Sequence, residues 1–235
     1  MLDLQNLSIT QDDFSLTANL AIEAGSRTAI IGPSGAGKST LLSLIAGFLF
    51  PDAGKILWEG RDLTILTPGE RPISMLFQDQ NLFPHLSVGQ NVGLGLRPDL
   101  RLSPDQKQQI TVVLEKVGLP GMEDRKPASL SGGQQSRVAL ARVLLQNRPI
   151  LLLDEPFAAL GPALKSEMLS LVAQIAADMG TTVLIVTHDP EDAQSFAPQT
   201  IFVDQGIASP PTSTTGLLAD PPASLRDYLG SPVLR

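Results

Sequence analysis

Cysteine is absent from this sequence of 235 residues. A disulfide framework is therefore impossible, and so are zinc or iron–sulfur sites built on thiolate ligands. Long apolar runs are missing as well, because no stretch approaches the roughly 20 residues that a membrane-spanning helix requires. The N-terminal stretch MLDLQNLSIT lacks the basic start and apolar run of a secretory signal, so we expect no signal peptide. Any role at a membrane must come through partner chains.

Basic residues are also in short supply. Lys and Arg number 17 against 24 Asp and Glu, and the formal net charge is -7. This balance argues against sequence-independent binding of DNA or RNA, which needs Lys and Arg to replace the counterions on phosphates. We therefore predict no nucleic-acid partner, although local backbone dipoles can still form a small phosphate site. The hydrophobic share of 43% is ordinary for a globular chain with a sizeable core.

Apolar runs that suit buried strands alternate with stretches of helical spacing. Residues 163–179 have the helical spacing, and they lie between two continuous apolar runs. The strand candidates are residues 27–32, 54–58, 73–78, 150–153 and 182–186. This alternation predicts an α/β fold with a mainly parallel sheet, preceded by short strands that form an antiparallel β part. Ligands of such sheets bind at the carboxyl ends of the strands.

The middle of the chain is richer in helix signals. Ser103 followed by Pro104 predicts the start of a helix that ends at Gly118. We therefore expect a single domain over residues 1–235, in which a helical subdomain at about 81–147 is inserted into the sheet-containing core. The tail, residues 208–235, is rich in Pro, Ser and Thr, and we expect it to cover the core loosely, with a short helix at 224–229.

Residues 32–39, GPSGAGKS, fit the phosphate-loop pattern G-x-x-x-x-G-K-[ST] in full. The glycines let backbone amides surround an anionic phosphate chain, and a helix N-terminus adds partial positive charge. Lys38 can reach the β- and γ-phosphates, and Ser39 can offer its hydroxyl to Mg²⁺. A plain glycine turn is the alternative, but the strand before and the helix after favour a nucleotide. The predicted nucleotide-binding residues of this loop are Gly32, Pro33, Ser34, Gly35, Ala36, Gly37, Lys38, Ser39 and Thr40.

Two acids follow the apolar run at 150–153. By themselves, Asp154 and Glu155 would more often be the polar end of a strand. Beside a phosphate loop, Asp154 is predicted to hold Mg²⁺ through water. Glu155 is predicted to lie by the γ-phosphate and to orient or deprotonate the attacking water.

Residues 130–134, LSGGQ, match the signature of the ABC ATPases, and the chain resembles that family from near its start to about residue 206. Ser131 can cap a helix whose bare glycine start lets an anion approach its amides. The resemblance implies a P-loop NTPase of the ABC ATPase fold that binds ATP and Mg²⁺. It also implies that the signature of one subunit covers the γ-phosphate on a second copy, in a head-to-tail dimer. The implied signature contacts are Ser131, Gly132, Gly133 and Gln134.

Two further residues take roles from this resemblance. Gln78, in FQD, is similar to the glutamine that touches Mg²⁺ and the attacking water, and that relays to the membrane partner. His188, in THD, is similar to the histidine that bonds the γ-phosphate. The resemblance thus implies Lys38, Gln78, Glu155 and His188 as the catalytic set. It implies Ser39, Gln78 and Asp154 as the metal set. Taken alone, Gln78 could be an ordinary polar strand end, and His188 could be a structural histidine.

The sequence departs from the family pattern at two places. Residues 158–161 read AALG, where the family usually has SALD, so Gly161 lacks a carboxylate that helps to join the two subunits. The family also stacks adenine on an aromatic residue ahead of the phosphate loop. Here the nearest ring is Phe14, and Gln11 is the other candidate for that position.

Within the family, the chain most resembles the ATP-binding subunits of bacterial thiamine importers. The stretches that carry this resemblance are residues 32–48, 74–96 and 149–162. It implies a transmembrane permease as partner, a periplasmic thiamine-binding protein as indirect partner, and a place on the cytoplasmic face of the inner membrane. An importer of another solute, such as an anion, metal, polyamine or sugar, is the first alternative. A non-transport ABC ATPase and a nucleotide-binding module without turnover are the others.

Overall fold

The computed structural model describes residues 1–78 and 82–229, which contain eleven strands and eight α-helices. The strands are β1 Leu2–Gln11, β2 Phe14–Ile22, β3 Arg27–Ile31, β4 Ala53–Trp58, β5 Arg61–Asp62, β6 Ile73–Leu76, β7 Ile150–Asp154, β8 Thr182–Val186, β9 Gln199–Asp204, β10 Ile207–Ala208 and β11 Thr212–Ser213. The helices are α1 Lys38–Ala46, α2 Val88–Gly93, α3 Pro104–Lys116, α4 Gly132–Leu144, α5 Pro162–Met179, α6 Pro190–Phe196, α7 Thr214–Ala219 and α8 Ala223–Leu229, with a short 3₁₀ helix at Pro127–Ser129.

The strands form one mixed sheet in the order β5-β4-β1-β2-β10-β9-β3-β8-β7-β6, and β11 pairs with β9. From β9 to β6 neighbouring strands run parallel, whereas β1, β2, β4 and β5 pair antiparallel. The prediction of a parallel core with an antiparallel part is therefore confirmed. The predicted strand at 73–78 is shorter than expected: its pairing with β7 ends at Leu76, and the next two residues are exposed.

Helices cover both faces of the parallel strands, which explains why those strands are apolar without alternation. Helix α1 packs its buried leucines with one face, in a cluster that includes Ile30, Leu152 and Leu184. Helices α4 and α5 pack on the other face, in a cluster that includes Leu153 and Ile185. The carboxyl ends of β3, β7 and β8 therefore lie at one edge of the sheet, between the two helical layers.

The middle of the chain is helical, as the breaks and periodicity predicted. Helix α3 begins after Ser103, whose hydroxyl accepts a hydrogen bond from the Gln106 amide in a capping box. Helix α2 contacts α3 and α4. The division into a core and an inserted helical subdomain at 81–147 stays a prediction, and residue 81 lies outside the described residues. No helix in the described ranges is long and apolar enough to cross a membrane.

The tail is packed more firmly than predicted. Helix α8 agrees with the predicted helix at 224–229, but its Leu225 is fully buried. Thr214, at the start of α7, is 1% exposed, and its hydroxyl donates to the Ala197 carbonyl at 2.7 Å. The expectation of a loose cover was wrong, because a few apolar and hydroxyl groups in a Pro- and Ser-rich stretch are enough to attach it to the core. Residues 230–235 of the predicted tail lie outside the described residues.

Candidate functional site

The loop between β3 and α1 contains three glycines whose backbone conformations disfavour any side chain. Gly32, Gly35 and Gly37 have φ angles of 153°, 77° and 110°. A Cβ on Gly32 would strike the Val203 carbonyl oxygen, and one on Gly37 would strike the side chains of Leu16 and Phe14. The glycines thus permit both the backbone turn and the close approach of β9 and β2.

Lys38 lies across this loop. Its ammonium donates to the carbonyl oxygens of Gly32 and Pro33, at 2.8 Å each. Burial lowers the pKa of Lys38, although the charges of Glu155 and Asp154 oppose the shift. The loop borders an open cavity of about 280 Å³ lined by Phe14, Ser34, Gly35, Gly37, Lys38, Ser39, Thr40 and Glu155. A cation and a helix N-terminus therefore face one cavity, which suits a phosphate chain.

Asp154 and Ser39 lie together beside the loop. The Ser39 hydroxyl donates to Asp154 Oδ1 at 3.4 Å. Burial raises the pKa of Asp154; the Ser39 hydrogen bond opposes this shift and the charge of Glu155 adds to it. A hydroxyl and a partly buried carboxylate are hard oxygen donors, so they fit a magnesium ion that also holds phosphate oxygens.

Glu155 and His188 meet because they follow adjacent parallel strands, β7 and β8. His188 Nδ1 is 3.3 Å from Glu155 Oε2, and the Glu155 amide donates to the Val186 carbonyl at 3.2 Å. Glu155 has a φ of 44°, a left-handed conformation that is rare for a residue with a side chain. Such strain often accompanies function. The turn it produces brings a carboxylate to the cavity of the phosphate loop.

The other predicted site residues do not line this cavity in the described chain. Gln78 is exposed beyond the end of β6, and its neighbour Asp79 in the FQD motif lies outside the described residues. Ser131 caps α4, with its hydroxyl 3.3 Å from the Gln134 amide, as the sequence predicted. Gly132 is exposed, and a Cβ there would meet nothing within 4 Å. The start of α4 is thus open at Gly132, whereas Gly133 is buried and a Cβ there would strike the Leu164 side chain.

Phe14 is the ring that the sequence could not place. The structure puts its Cζ against Gly37, on the wall of the cavity, while Gln11 is an exposed residue opposite it in the β1–β2 hairpin. Phe14 is therefore the aromatic surface available to a base at this cavity. The register of the hairpin decided this: Gln11 pairs with Phe14 across a two-residue turn, so Phe14 begins β2.

Arg71 was missed altogether by the sequence reasoning. Its guanidinium is 1% exposed and donates to four carbonyl oxygens, those of Leu44, Ile45, Thr64 and Leu66, at 2.6–3.0 Å. Burial lowers its pKa to about 10, while the charge of Asp62 opposes the shift, so the group is still charged at neutral pH. Two of these carbonyls end α1, the helix that begins at the phosphate loop. A cation there also suits the negative end of the helix dipole.

Gly161 stands at the N-cap of α5, with φ −65° and ψ 156° and no side-chain cap. Any residue can adopt this conformation, and a Cβ would meet nothing within 4 Å. We expect Gly161→Asp to raise the free energy of unfolding by roughly 0.5–1 kcal/mol, because aspartate accepts a hydrogen bond from the helix start. Urea denaturation of Gly161→Asp and Gly161→Ala would measure this. Equal stability of the two variants would exclude a capping effect.

Comparison with known proteins gives consistent results. A family model described as ABC transporter matches residues 16–158. The thiamine import ATP-binding protein ThiQ of Cereibacter sphaeroides is 62% identical over 230 residues, which cover 98% of this chain and 100% of that protein. Its counterpart of the same name from Yersinia pestis is 52% identical over 206 residues, 88% of this chain and 87% of that protein. Among solved structures, the ATP-binding cassette MJ0796 in a dimeric post-hydrolysis state with ADP and Pi has a TM-score of 0.77. It is 31% identical and covers 91% of this chain and 99% of that one.

Proposed function

Because this chain belongs to the ABC transporter family, as an ATP-binding subunit with ATPase activity, we propose that it drives a bacterial thiamine importer. The observation that carries the choice of solute is the 62% identity, over nearly the whole of both chains, to a thiamine import ATP-binding protein. An intact phosphate loop beside a carboxylate–histidine pair supports the ATPase part of the proposal.

In the proposed mechanism, the triphosphate of ATP lies along residues 32–40. Lys38 exchanges its two carbonyl partners for β- and γ-phosphate oxygens, which are stronger acceptors because they are charged. Phe14 covers the adenine. The reaction needs positioning and charge neutralisation more than covalent help from the protein. The loop supplies both, because Lys38 and the start of α1 already line the cavity that the nucleotide would enter.

Ser39 and Asp154, with Gln78, are the proposed holders of Mg²⁺. Within residues 1–78 and 82–229, no three His, Cys, Asp or Glu side chains form a group that could hold a metal ion. In this proposal, phosphate oxygens would share the ion with Ser39, Asp154 and Gln78. When bound, Mg²⁺ neutralises phosphate charge. The raised pKa of Asp154 is consistent with a carboxylate that is buried in advance for a cationic partner.

Glu155 is the proposed general base. Its Oε2 accepts the proton of the attacking water, whose oxygen bonds to the γ-phosphorus as the bond to the β–γ bridging oxygen breaks. His188, at 3.3 Å from Glu155, holds the γ-phosphate and keeps the carboxylate turned toward the water. ADP and phosphate are the products. Glu155 lines the cavity of the phosphate loop from a left-handed turn after β7, and this position supports the role.

A second copy of the chain completes the site in this proposal. The exposed start of α4, with Ser131 and Gly132, faces the γ-phosphate bound to the partner's phosphate loop. The openness of that helix start and the dimeric state of a related cassette support this arrangement. ATP then joins two copies head to tail, and hydrolysis separates them.

The permease is the proposed membrane partner, and it would hold this chain at the cytoplasmic face of the inner membrane. Exposed aromatic side chains near Gln78 support such a contact. The rings of Phe48 and Phe77 lie 5.8 Å apart, and these two residues are 51% and 40% exposed. Exposed apolar side chains that lie together on a protein surface commonly mark a contact with another protein. A periplasmic thiamine-binding protein would deliver the solute.

Uptake measurements would test the choice of solute. Cells without this chain should lose uptake of labelled thiamine at low external concentration, and the wild-type chain, but not Glu155→Gln, should restore it. Isolation of the chain from membranes should recover a permease. Normal thiamine uptake in the deletion strain, with ATPase activity intact in the purified chain, would refute thiamine and favour an importer of another solute.

The adenine role of Phe14 has its own test. Phe14→Leu keeps an apolar side chain at the cavity wall but removes the flat surface for the base. We expect ATP affinity to fall about five- to tenfold, the lower end of the roughly 1–3 kcal/mol per base that stacking on an aromatic ring contributes, because leucine keeps an apolar contact with the base. Calorimetric titration with ATP would measure it, with the exposed Phe50→Leu as control. If Phe14→Leu binds ATP with wild-type affinity, adenine does not stack on Phe14.

A further inference from the structure

The segment that carries His188 is held by a residue from the far end of the chain. The Tyr228 hydroxyl, on α8, donates to the His188 carbonyl oxygen at 2.8 Å, across 40 residues of sequence. Helix α8 is attached independently of this bond, because Leu225 is fully buried and Tyr228 itself packs against the same apolar cluster. The hydroxyl therefore adds a specific contact to a helix that is already in place.

The residues on either side of His188 are held as well. Lys165, on α5, forms ion pairs with Asp189 and Asp192 at 2.8 and 2.6 Å, and its side chain is only 16% exposed. The Thr187 hydroxyl donates to Asp192 at 2.9 Å and accepts from the Asp189 amide at 3.1 Å. Both neighbours of His188 are thus tied to other elements, and Tyr228 holds the peptide between them.

The imidazole of His188 has little packing of its own. Its side chain is 57% exposed, whereas that of Glu155 is 27% exposed. A side chain so open to solvent is oriented mainly by its backbone, because few neighbouring atoms restrict it. The 3.3 Å approach of His188 to Glu155 therefore depends on how firmly the His188 backbone is held.

We propose that Tyr228 is a positioning residue for ATP hydrolysis, and that its hydroxyl keeps His188 oriented toward Glu155 and the γ-phosphate by holding the His188 carbonyl. The proposal rests on the role given to His188 above and extends the functional site to α8. It also assigns the tail a purpose beyond covering the core. Tyr228 is not among the residues that line the cavity of the phosphate loop, so in this proposal it acts through His188.

Tyr228→Phe tests this cleanly, because it keeps the ring that packs on the core and removes only the hydroxyl. We expect kcat for ATP hydrolysis to fall roughly three- to tenfold, the range that one lost hydrogen bond of about 0.5–1.5 kcal/mol allows. KM for ATP should stay within about twofold, since the phosphate loop is untouched. The thermal midpoint of the full chain should change little.

Ser224→Ala, in the same helix, is the matched hydroxyl deletion and should keep the wild-type kcat.

A double-mutant cycle with His188→Ala separates a positioning role from a general one. If Tyr228 acts through His188, adding Tyr228→Phe to His188→Ala should cause no further loss of kcat. The proposal would be overturned if Tyr228→Phe lowered kcat equally in the wild type and in His188→Ala, or if Tyr228→Phe alone had a normal kcat. Either result would leave the function of His188 intact. A wild-type rate in His188→Ala alone would overturn both.

Discussion

Replacing Glu155 by glutamine is expected to lower the rate of ATP hydrolysis by about 10²- to 10⁴-fold while ATP still binds. This range is what a positioned general base contributes. Glutamine has the shape of glutamate and can keep the 3.3 Å contact with His188, but its amide cannot accept the proton of the attacking water. The phosphate loop is unchanged, so the affinity for ATP should stay within a few-fold.

The same variant should accumulate as a dimer when ATP is present. If ATP joins two copies and only hydrolysis separates them, blocking hydrolysis leaves the closed state. Size-exclusion chromatography with ATP, together with a phosphate-release assay, would measure both effects. Glu191→Gln is the matched control, because it removes an exposed carboxylate three residues after His188. Hydrolysis at the wild-type rate in Glu155→Gln would show that another group is the base.

Replacing Arg71 by methionine is expected to lower the free energy of unfolding by about 3–5 kcal/mol. Methionine fills much of the space but leaves four buried carbonyl oxygens, including those of Leu44 and Ile45 at the end of α1, without their donors. Each unsatisfied buried group costs about 1–3 kcal/mol, and entry of water recovers part of the total. Guanidinium denaturation of the purified chain would measure the change.

Two controls define what this result means. Arg61→Met removes the same charge from an exposed strand residue, so its stability should stay within about 0.5 kcal/mol of the wild type. Arg71→Lys keeps the charge but has one ammonium for four acceptors. Its free energy of unfolding should therefore lie between those of the wild type and Arg71→Met. A stability of Arg71→Met equal to that of Arg61→Met would mean that the four hydrogen bonds contribute nothing net.

Much of the fold could be predicted because its signals are local. The alternation of apolar runs and helical spacing gave the parallel strands β3, β7 and β8. Ser103 with Pro104 gave the start of α3, since capping involves only neighbouring residues. Features that depend on distant parts of the chain differ from their predictions. The strand predicted to reach Gln78 ends at Leu76, where its partner strand stops pairing, and the tail that looked loose buries Leu225.

The sequence alone predicted the phosphate loop, the acidic pair and the capped signature helix, because each is a short contiguous pattern, and the acidic pair took its predicted role from the phosphate loop. Tertiary structure decided the rest. It joined Glu155 to His188, placed Phe14 on the wall of the cavity, and brought Tyr228 to a carbonyl 40 residues away. Arg71 has no local motif at all, because its four acceptors come from α1 and a separate loop. Contacts between residues distant in sequence depend on strand order, register and helix packing, and these exist only once the whole chain has folded.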